Sequence, residues 1–560
     1  MTSSATGADL FVDALETYGV THLFGNPGTT EVPILRAIEQ SELTYLLGLH
    51  EDIAVGMAAG YASTRRYHAH AAEADVLPLG VVNLHVAPGL AHGLANIQNA
   101  AQSGVPLLVT AGDHGTNHRH EEPILSGDLE EMAREYTKWS AVVDDVSALP
   151  TMLRRAVRVA LTPPTGPVFL GLPIDVMLAE TDARPERLGS IPTAGRGDPE
   201  QIVAAARILE RADDPALVLG DRVAQAGRRA IDAVTDLAAA TGAAVYSEMA
   251  TAEINYPPED DHWVSFVAPD TEMARVAFDA DTLVFVGCST NTPYIPYEKP
   301  FIPDDATTIH VSDDIWEIGK NIPADVAVVG DPGAVTAELA ETVDVSAAER
   351  TRRRQSIPSR RDAVEQFLPS SGDEAETDSI TKVELADALA DTAPDALVVN
   401  ESNTSKYPLL TRWSLGPEQF IANKNGGLGY ALPAAVGAAI ATAQAGEKRP
   451  VVGFIGDGSY LYYPQAVYSA ARYGVDVTIV IPNNRNYRIL KDGMIDICGG
   501  TDADYDFVGM DIEPPVDIVE NARSHGVSAE RVTARENLES TLNKAFRVNG
   551  PSVVDVQVED

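Results

Sequence analysis

Two short stretches hold residues that could do chemistry together, Gly456-Asp457-Gly458-Ser459 and Asn483-Asn484. They offer a carboxylate and an amide carbonyl, with backbone carbonyls of the loop after Asn484 in reach. These are hard oxygen donors, too few to cage a cation alone. Mg2+ suits such a shell because it keeps open positions for phosphate oxygens. Alone, Gly-Asp-Gly commonly makes a turn and Asn-Asn a loop, so their meaning depends on the elements that carry them. Val451–Ile455 is an apolar run of strand length, and the glycines of 456–459 predict a tight turn. Apolar residues at helical spacing follow (Ala466, Val467, Ala470, Ala471), with Gly474 where a helix C-cap glycine would sit. A β-branched run at 475–481 completes a βαβ unit. Its strands are parallel with a right-handed crossover, so Asp457 and Asn484 belong at one sheet edge, where open α/β sheets bind ligands. The helix after Ser459 aims its first amides at the same place, which favours a phosphate.

The N-terminal part repeats this logic. Strand-like runs at 20–24, 43–49 and 79–84, with another at 105–110, alternate with helical patterns at 52–62 and 88–99. Their ends bring Thr29, Glu51 and His85 to one edge. His114, His118 and His120 follow the fourth run in a polar loop whose spacing matches no standard metal site.

Gly456-Asp457-Gly458-Ser459 with Asn483-Asn484 resembles the signature of thiamine diphosphate enzymes of the acetolactate synthase, pyruvate decarboxylase and benzoylformate decarboxylase group. The resemblance implies that Asp457 and Asn484 bind Mg2+ through side chains and Asn486 through its carbonyl. Gly458, Ser459, Asn403 and Thr404 would contact the cofactor. The carbonyl of Gly427 would meet the pyrimidine amino group, and Leu428 would hold the cofactor bent. Glu51, followed by Asp52-Ile53-Ala54, Gly56 and Gly60-Tyr61-Ala62, resembles the family glutamate that hydrogen-bonds the pyrimidine ring nitrogen and so generates the base for the thiazolium carbon. Phe24-Gly25-Asn26-Pro27-Gly28-Thr29-Thr30-Glu31 and Asn83-Leu84-His85 are most similar to the benzoylformate decarboxylase branch. Thr29 would face the substrate carboxylate, His85 would transfer protons, and His114, Ile489 and Leu490 would border the substrate. That branch has a second histidine in a loop of its central domain. Here the loop reads Cys288-Ser289-Thr290-Asn291-Thr292-Pro293-Tyr294, with Tyr294 the nearest match.

The totals fit several α/β domains. The chain has 560 residues, and 41 basic against 82 acidic side chains give a net charge of −41. Such a surface repels nucleic acid and anionic membranes, and suits a salty cytoplasm where screening removes self-repulsion. Two cysteines exclude a disulfide scaffold, and no apolar run approaches membrane-helix length. The fold expectation is α/β, with three doubly wound parallel-sheet domains. They are a pyrimidine-binding domain at 1–185, a Rossmann-like central domain at 195–345 and a diphosphate-binding domain at 378–560. The charged, Pro- and Ser-containing stretch 349–377 reads as a linker. The central domain lacks a complete dinucleotide fingerprint; in acetolactate synthases it can hold FAD, and no residue here decides for one.

The expected function is therefore decarboxylation of a 2-oxo acid with thiamine diphosphate and Mg2+, in a cytoplasmic homodimer or homotetramer with active sites at the subunit interface. Alternatives are an acetolactate-synthase-like carboligase, and a cofactor-binding protein without turnover.

Overall fold

The computed structural model describes residues 5–71, 76–289, 292, 297, 299–368 and 379–559. Three six-stranded sheets, each parallel throughout, carry most of the described chain. Their strands are near-continuous apolar runs, as sheets covered on both faces require; Leu107–Asp113, for instance, is buried at every position.

In the first sheet the strands lie in the order Thr44–Leu47, His22–Gly25, Gly80–Leu84, Leu107–Asp113, Val168–Pro173, Ser140–Val142. Counted along the chain this is 2-1-3-4-6-5. The third sheet has the same order, running Phe420–Ala422, Leu397–Glu401, Val451–Ile455, Thr478–Asn483, Ser552–Gln557, Ser528–Val532. In both, the order reverses between the first and third strands, which opens a crevice at their carboxyl ends. The middle sheet, Trp263–Val267, Ala244–Met249, Pro215–Leu219, Thr282–Val286, Thr307–Ser312, Val326–Val329, has the 3-2-1-4-5-6 order of dinucleotide folds.

The βαβ unit at 451–483 forms with its two strands parallel and Gly474 left-handed at φ 59° as the cap of Ala466–Tyr473. Its second strand starts three residues later than the β-branched run suggests, at Thr478. Asp457–Tyr460 is a helical turn rather than an open one. Trp263–Val267 is a strand that the sequence pattern did not single out.

The stretch read as a linker is largely helical, which corrects that expectation. Ala347–Arg354 is capped by Ser346, and Ile357–Glu365 follows it. The arginines that make it look like a solvated tether are anchors. Arg353 is buried and donates to the carbonyls of Thr241, Leu209 and Ala212, while Arg361 donates to the Trp263 carbonyl. Residues 369–378 lie outside the described residues.

Glu51–Ala71 and Ala431–Gln444 cross in close contact, joining the first and third domains. A Cβ on Gly60 would lie 2.0 Å from the Ala434 carbonyl oxygen, and one on Gly437 would lie 1.9 Å from that of Met57. Only glycine permits backbones this near each other.

Candidate active site

At the reversal point of the third sheet lies a cleft of about 470 Å3. It is lined by Asn403, Thr404, Leu428, Asp457, Gly458, Ser459, Asn484, Asn486 and Ile489, all singled out from sequence. Asp457 is buried in the first turn after Val451–Ile455, and its Oδ2 accepts the Arg485 amide at 2.8 Å. Arg485 is left-handed, with φ 60°. For a side chain with a Cβ this is a sparsely populated conformation. It folds the 484–486 loop back so that Asn484 and Asn486 both line the cleft. Burial pushes the Asp457 carboxyl up to about 6, and a cation beside it would reverse that shift. A Cβ on Gly458 would lie 2.4 Å from the Tyr487 ring, so a larger residue there would have to displace that ring. Ser459 Oγ donates to the Glu401 carbonyl at 3.1 Å, which ties this turn to the neighbouring strand.

Glu401 was not anticipated. It ends Leu397–Glu401, is buried, and accepts the amides of Gly429 and Ala431 at 2.5 Å each. Burial pushes its carboxyl up to about 7 despite those amides. Glu401 thus holds the loop that carries Gly427 and Leu428. The Gly427 carbonyl accepts from Asn423 at 2.5 Å and from Asn99 of the first domain at 3.3 Å. In sequence Glu401 opens the run Glu401-Ser402-Asn403-Thr404, and no local signal marks it as the clamp of a distant loop.

The first sheet brings the other candidates together. Glu51 opens its helix, and Gly89 lies between Glu51 and His85. A Cβ on Gly89 would be 3.1 Å from Glu51 Oε1 and 3.3 Å from the His85 Cβ. Thr29 is exposed at the start of the 3-10 turn Thr29–Glu31, while Glu31 is fully buried with its Oε2 2.8 Å from His85 Nδ1. His114 follows Leu107–Asp113, and its buried Nε2 has no partner among the described residues. His50, Glu51 and His92 come within metal-ligand reach of one another. However, His50 Nδ1 accepts the Asp52 amide at 3.1 Å, which leaves the proton of its neutral ring on Nε2 and removes that lone pair. Leu490 is 51% exposed and stands outside the cleft lining, and Tyr294 lies outside the described residues.

The cleft lining comes entirely from residues 382–558. Glu51 and His85 stand at the edge of the first sheet and are not among the residues that line this cleft.

Two parallel sheets of identical strand order, one ending in a Gly-Asp-Gly and Asn-Asn cleft and the other in a glutamate and a histidine, define a class of cofactor enzyme. The chain belongs to the thiamine pyrophosphate enzyme family. It matches the family's N-terminal TPP binding domain over residues 5–138, its central domain over 202–339 and its C-terminal TPP binding domain over 405–556. Among curated proteins it is 29% identical to a benzoylformate decarboxylase of Pseudomonas aeruginosa, over 98% of each chain. It is 28% identical to an acetolactate synthase large subunit of Parasynechococcus marenigrum, over 99% of this chain and 87% of that one. Among solved structures, the thiamine diphosphate-dependent 4-hydroxybenzoylformate decarboxylase of Rhodococcus jostii superposes with a TM-score of 0.84, at 28% identity over 99% of each chain. No helix among the described residues is long and apolar enough to cross a membrane.

Proposed function

We propose that the protein decarboxylates a 2-oxo acid non-oxidatively, with thiamine diphosphate and Mg2+, in the manner of a benzoylformate decarboxylase. The observation that carries this reading is that Glu51 and His85 both border Gly89, beside the 25–31 loop. The residues present fit the cofactor. Asp457, Asn484 and the Asn486 carbonyl would hold Mg2+, and Asn403, Thr404, Gly458 and Ser459 the diphosphate. Leu428 would set the pyrimidine, and the Gly427 carbonyl would do so in place of one of its two present donors, Asn423 or Asn99. When bound, thiamine diphosphate supplies the electron sink for loss of CO2. Glu51 holds a proton against the pyrimidine ring nitrogen, His85 moves a proton at the substrate, and Thr29 orients the substrate carboxylate. Ile489 borders the substrate from the cleft side.

Because the cleft is lined by 382–558 alone, the first domain of a second subunit would complete it. The active unit is then a homodimer at least, and a homotetramer is the proposed assembly. The boundaries 1–185, 195–345 and 378–560 are proposed for the three domains. The net charge of −41 supports a cytoplasm rich in salt as the working environment; unfolding midpoints that do not rise with KCl would count against it. An acetolactate-synthase-like carboligase is the second reading, favoured by the full-length similarity to such a synthase.

The test is a product screen in strong KCl with thiamine diphosphate and Mg2+, offering benzoylformate, pyruvate and branched 2-oxo acids. CO2 with an aldehyde supports the decarboxylase. Acetohydroxy acid moves the protein to the carboligase reading. Bound cofactor without any product overturns both.

A further inference from the structure

Glu31 sits in the first domain with 0% exposure, in the turn that follows His22–Gly25. A carboxylate so placed must be fully partnered. Four donors surround it: the Gly28 amide at 2.8 Å, Thr30 Oγ1 at 2.7 Å, the Gly112 amide at 3.0 Å and His85 Nδ1 at 2.8 Å. The first three fix the carboxylate from its own turn and from the strand Leu107–Asp113. Only the fourth reaches a residue expected to exchange protons.

We propose that Glu31 is the positioning residue for His85, holding the ring proton on Nδ1 so that Nε2 is the atom that exchanges a proton with the substrate. This inference rests on the role given to His85 in the proposed function. The proton count comes from Thr30. Its one hydroxyl proton goes to Glu31 Oε1, so towards His85 Nδ1, 3.2 Å away, the hydroxyl oxygen can only accept. A carboxylate also only accepts. With acceptors on both sides, Nδ1 carries the hydrogen and the lone pair of the neutral ring lies on Nε2. The ring cannot turn freely to exchange the two nitrogens, because it packs on Gly28, where a Cβ would fall 2.1 Å from Nδ1. The His85 side chain keeps 21% exposure while Glu31 has none, so the ring faces solvent away from the carboxylate.

The test uses the full chain with thiamine diphosphate and Mg2+, benzoylformate as substrate probe, and the variants Glu31→Gln, His85→Ala and their combination. The Gln amide offers Nδ1 a donor and favours the opposite tautomer. Glu31→Gln should lower kcat about 100-fold with KM changed less than about twofold and cofactor affinity kept. The double variant should be no slower than His85→Ala, since removing the ring removes what Glu31 acts on. A Glu31→Gln enzyme with full kcat, or a further loss in the His85→Ala background, overturns the proposal. Full activity of His85→Ala would instead overturn the proposed function. Should Glu31→Gln not fold, 15N-histidine solid-state NMR of the wild-type protein reads the tautomer directly, with the His85 signals assigned by their loss in His85→Ala. Protonated Nδ1 and bare Nε2 in the neutral ring support the inference, and the reverse overturns it.

Discussion

Asp457 sits where burial disfavours its charge, and the charge is what a cation would bind. Asp457→Asn keeps the shape and removes the charge, so cofactor affinity measured by calorimetry in Mg2+ should fall about 10- to 100-fold. Unchanged affinity would take Asp457 out of the metal shell. Glu51→Gln should leave cofactor affinity near wild type and suppress hydrogen–deuterium exchange at the thiazolium C2; retained exchange would remove Glu51 from its proposed role. Residues of this kind were legible in the sequence because each stands at a strand end within a short, chemically restrictive run. Glu31 and Glu401 stand within such runs, but their roles were not legible there. A carboxylate at a strand end or in the turn beyond it reads like any solvated loop acid, and only the return of the chain through Gly112 and Gly429 buries them.

Elements decide how such groups are held. Glu401 clamps the 426–430 loop to the end of its own strand. Its carboxyl is raised in the fold, so the folded state binds more protons than the unfolded one between the ordinary glutamate value of 4.5 and about 7. That contribution to stability is present in acid and lost as pH rises through about 7. Glu401→Gln cannot titrate, so its stability deficit relative to wild type should shrink as pH rises across this range in parallel urea unfolding. A deficit independent of pH would refute the raised carboxyl. In the crossing of Glu51–Ala71 with Ala431–Gln444, Gly60→Val should cost about 3 kcal/mol or more in unfolding free energy, since the added carbons meet backbone that cannot retreat. The strands and their order of use were largely legible from apolar runs and turn glycines. The helices at 347–365 were not, because arginines that reach inward to carbonyls have the same composition as arginines in a tether.

Across the whole molecule, a buried charge cluster joins all three domains. Lys424 of the third lies between Asp221 at 2.8 Å and Glu248 at 2.7 Å of the second. Glu253 of the second accepts from Arg66 at 2.5 Å and Tyr67 at 2.9 Å of the first. Against the pull of burial, Asp221 and Glu248 hold the Lys424 ammonium above its ordinary range. Lys424→Met would remove the cation that bridges two buried carboxylates, costing about 3–5 kcal/mol of stability. A loss below about 1 kcal/mol would show that the cluster does not depend on this ammonium. The crossing of Glu51–Ala71 with Ala431–Gln444 has its own meaning at this scale. In the proposed dimer, Glu51 serves one active site while the loop that begins the other helix, with Gly427 and Leu428, serves its twin. The glycine contact would then link two different reaction centres through touching backbone, separated from one of them only by the short 426–430 loop. In that assembly a shift of Glu51 would press on the backbone of the helix that leads from the neighbouring catalytic centre, so the two would fill and turn over as correspondents rather than as strangers.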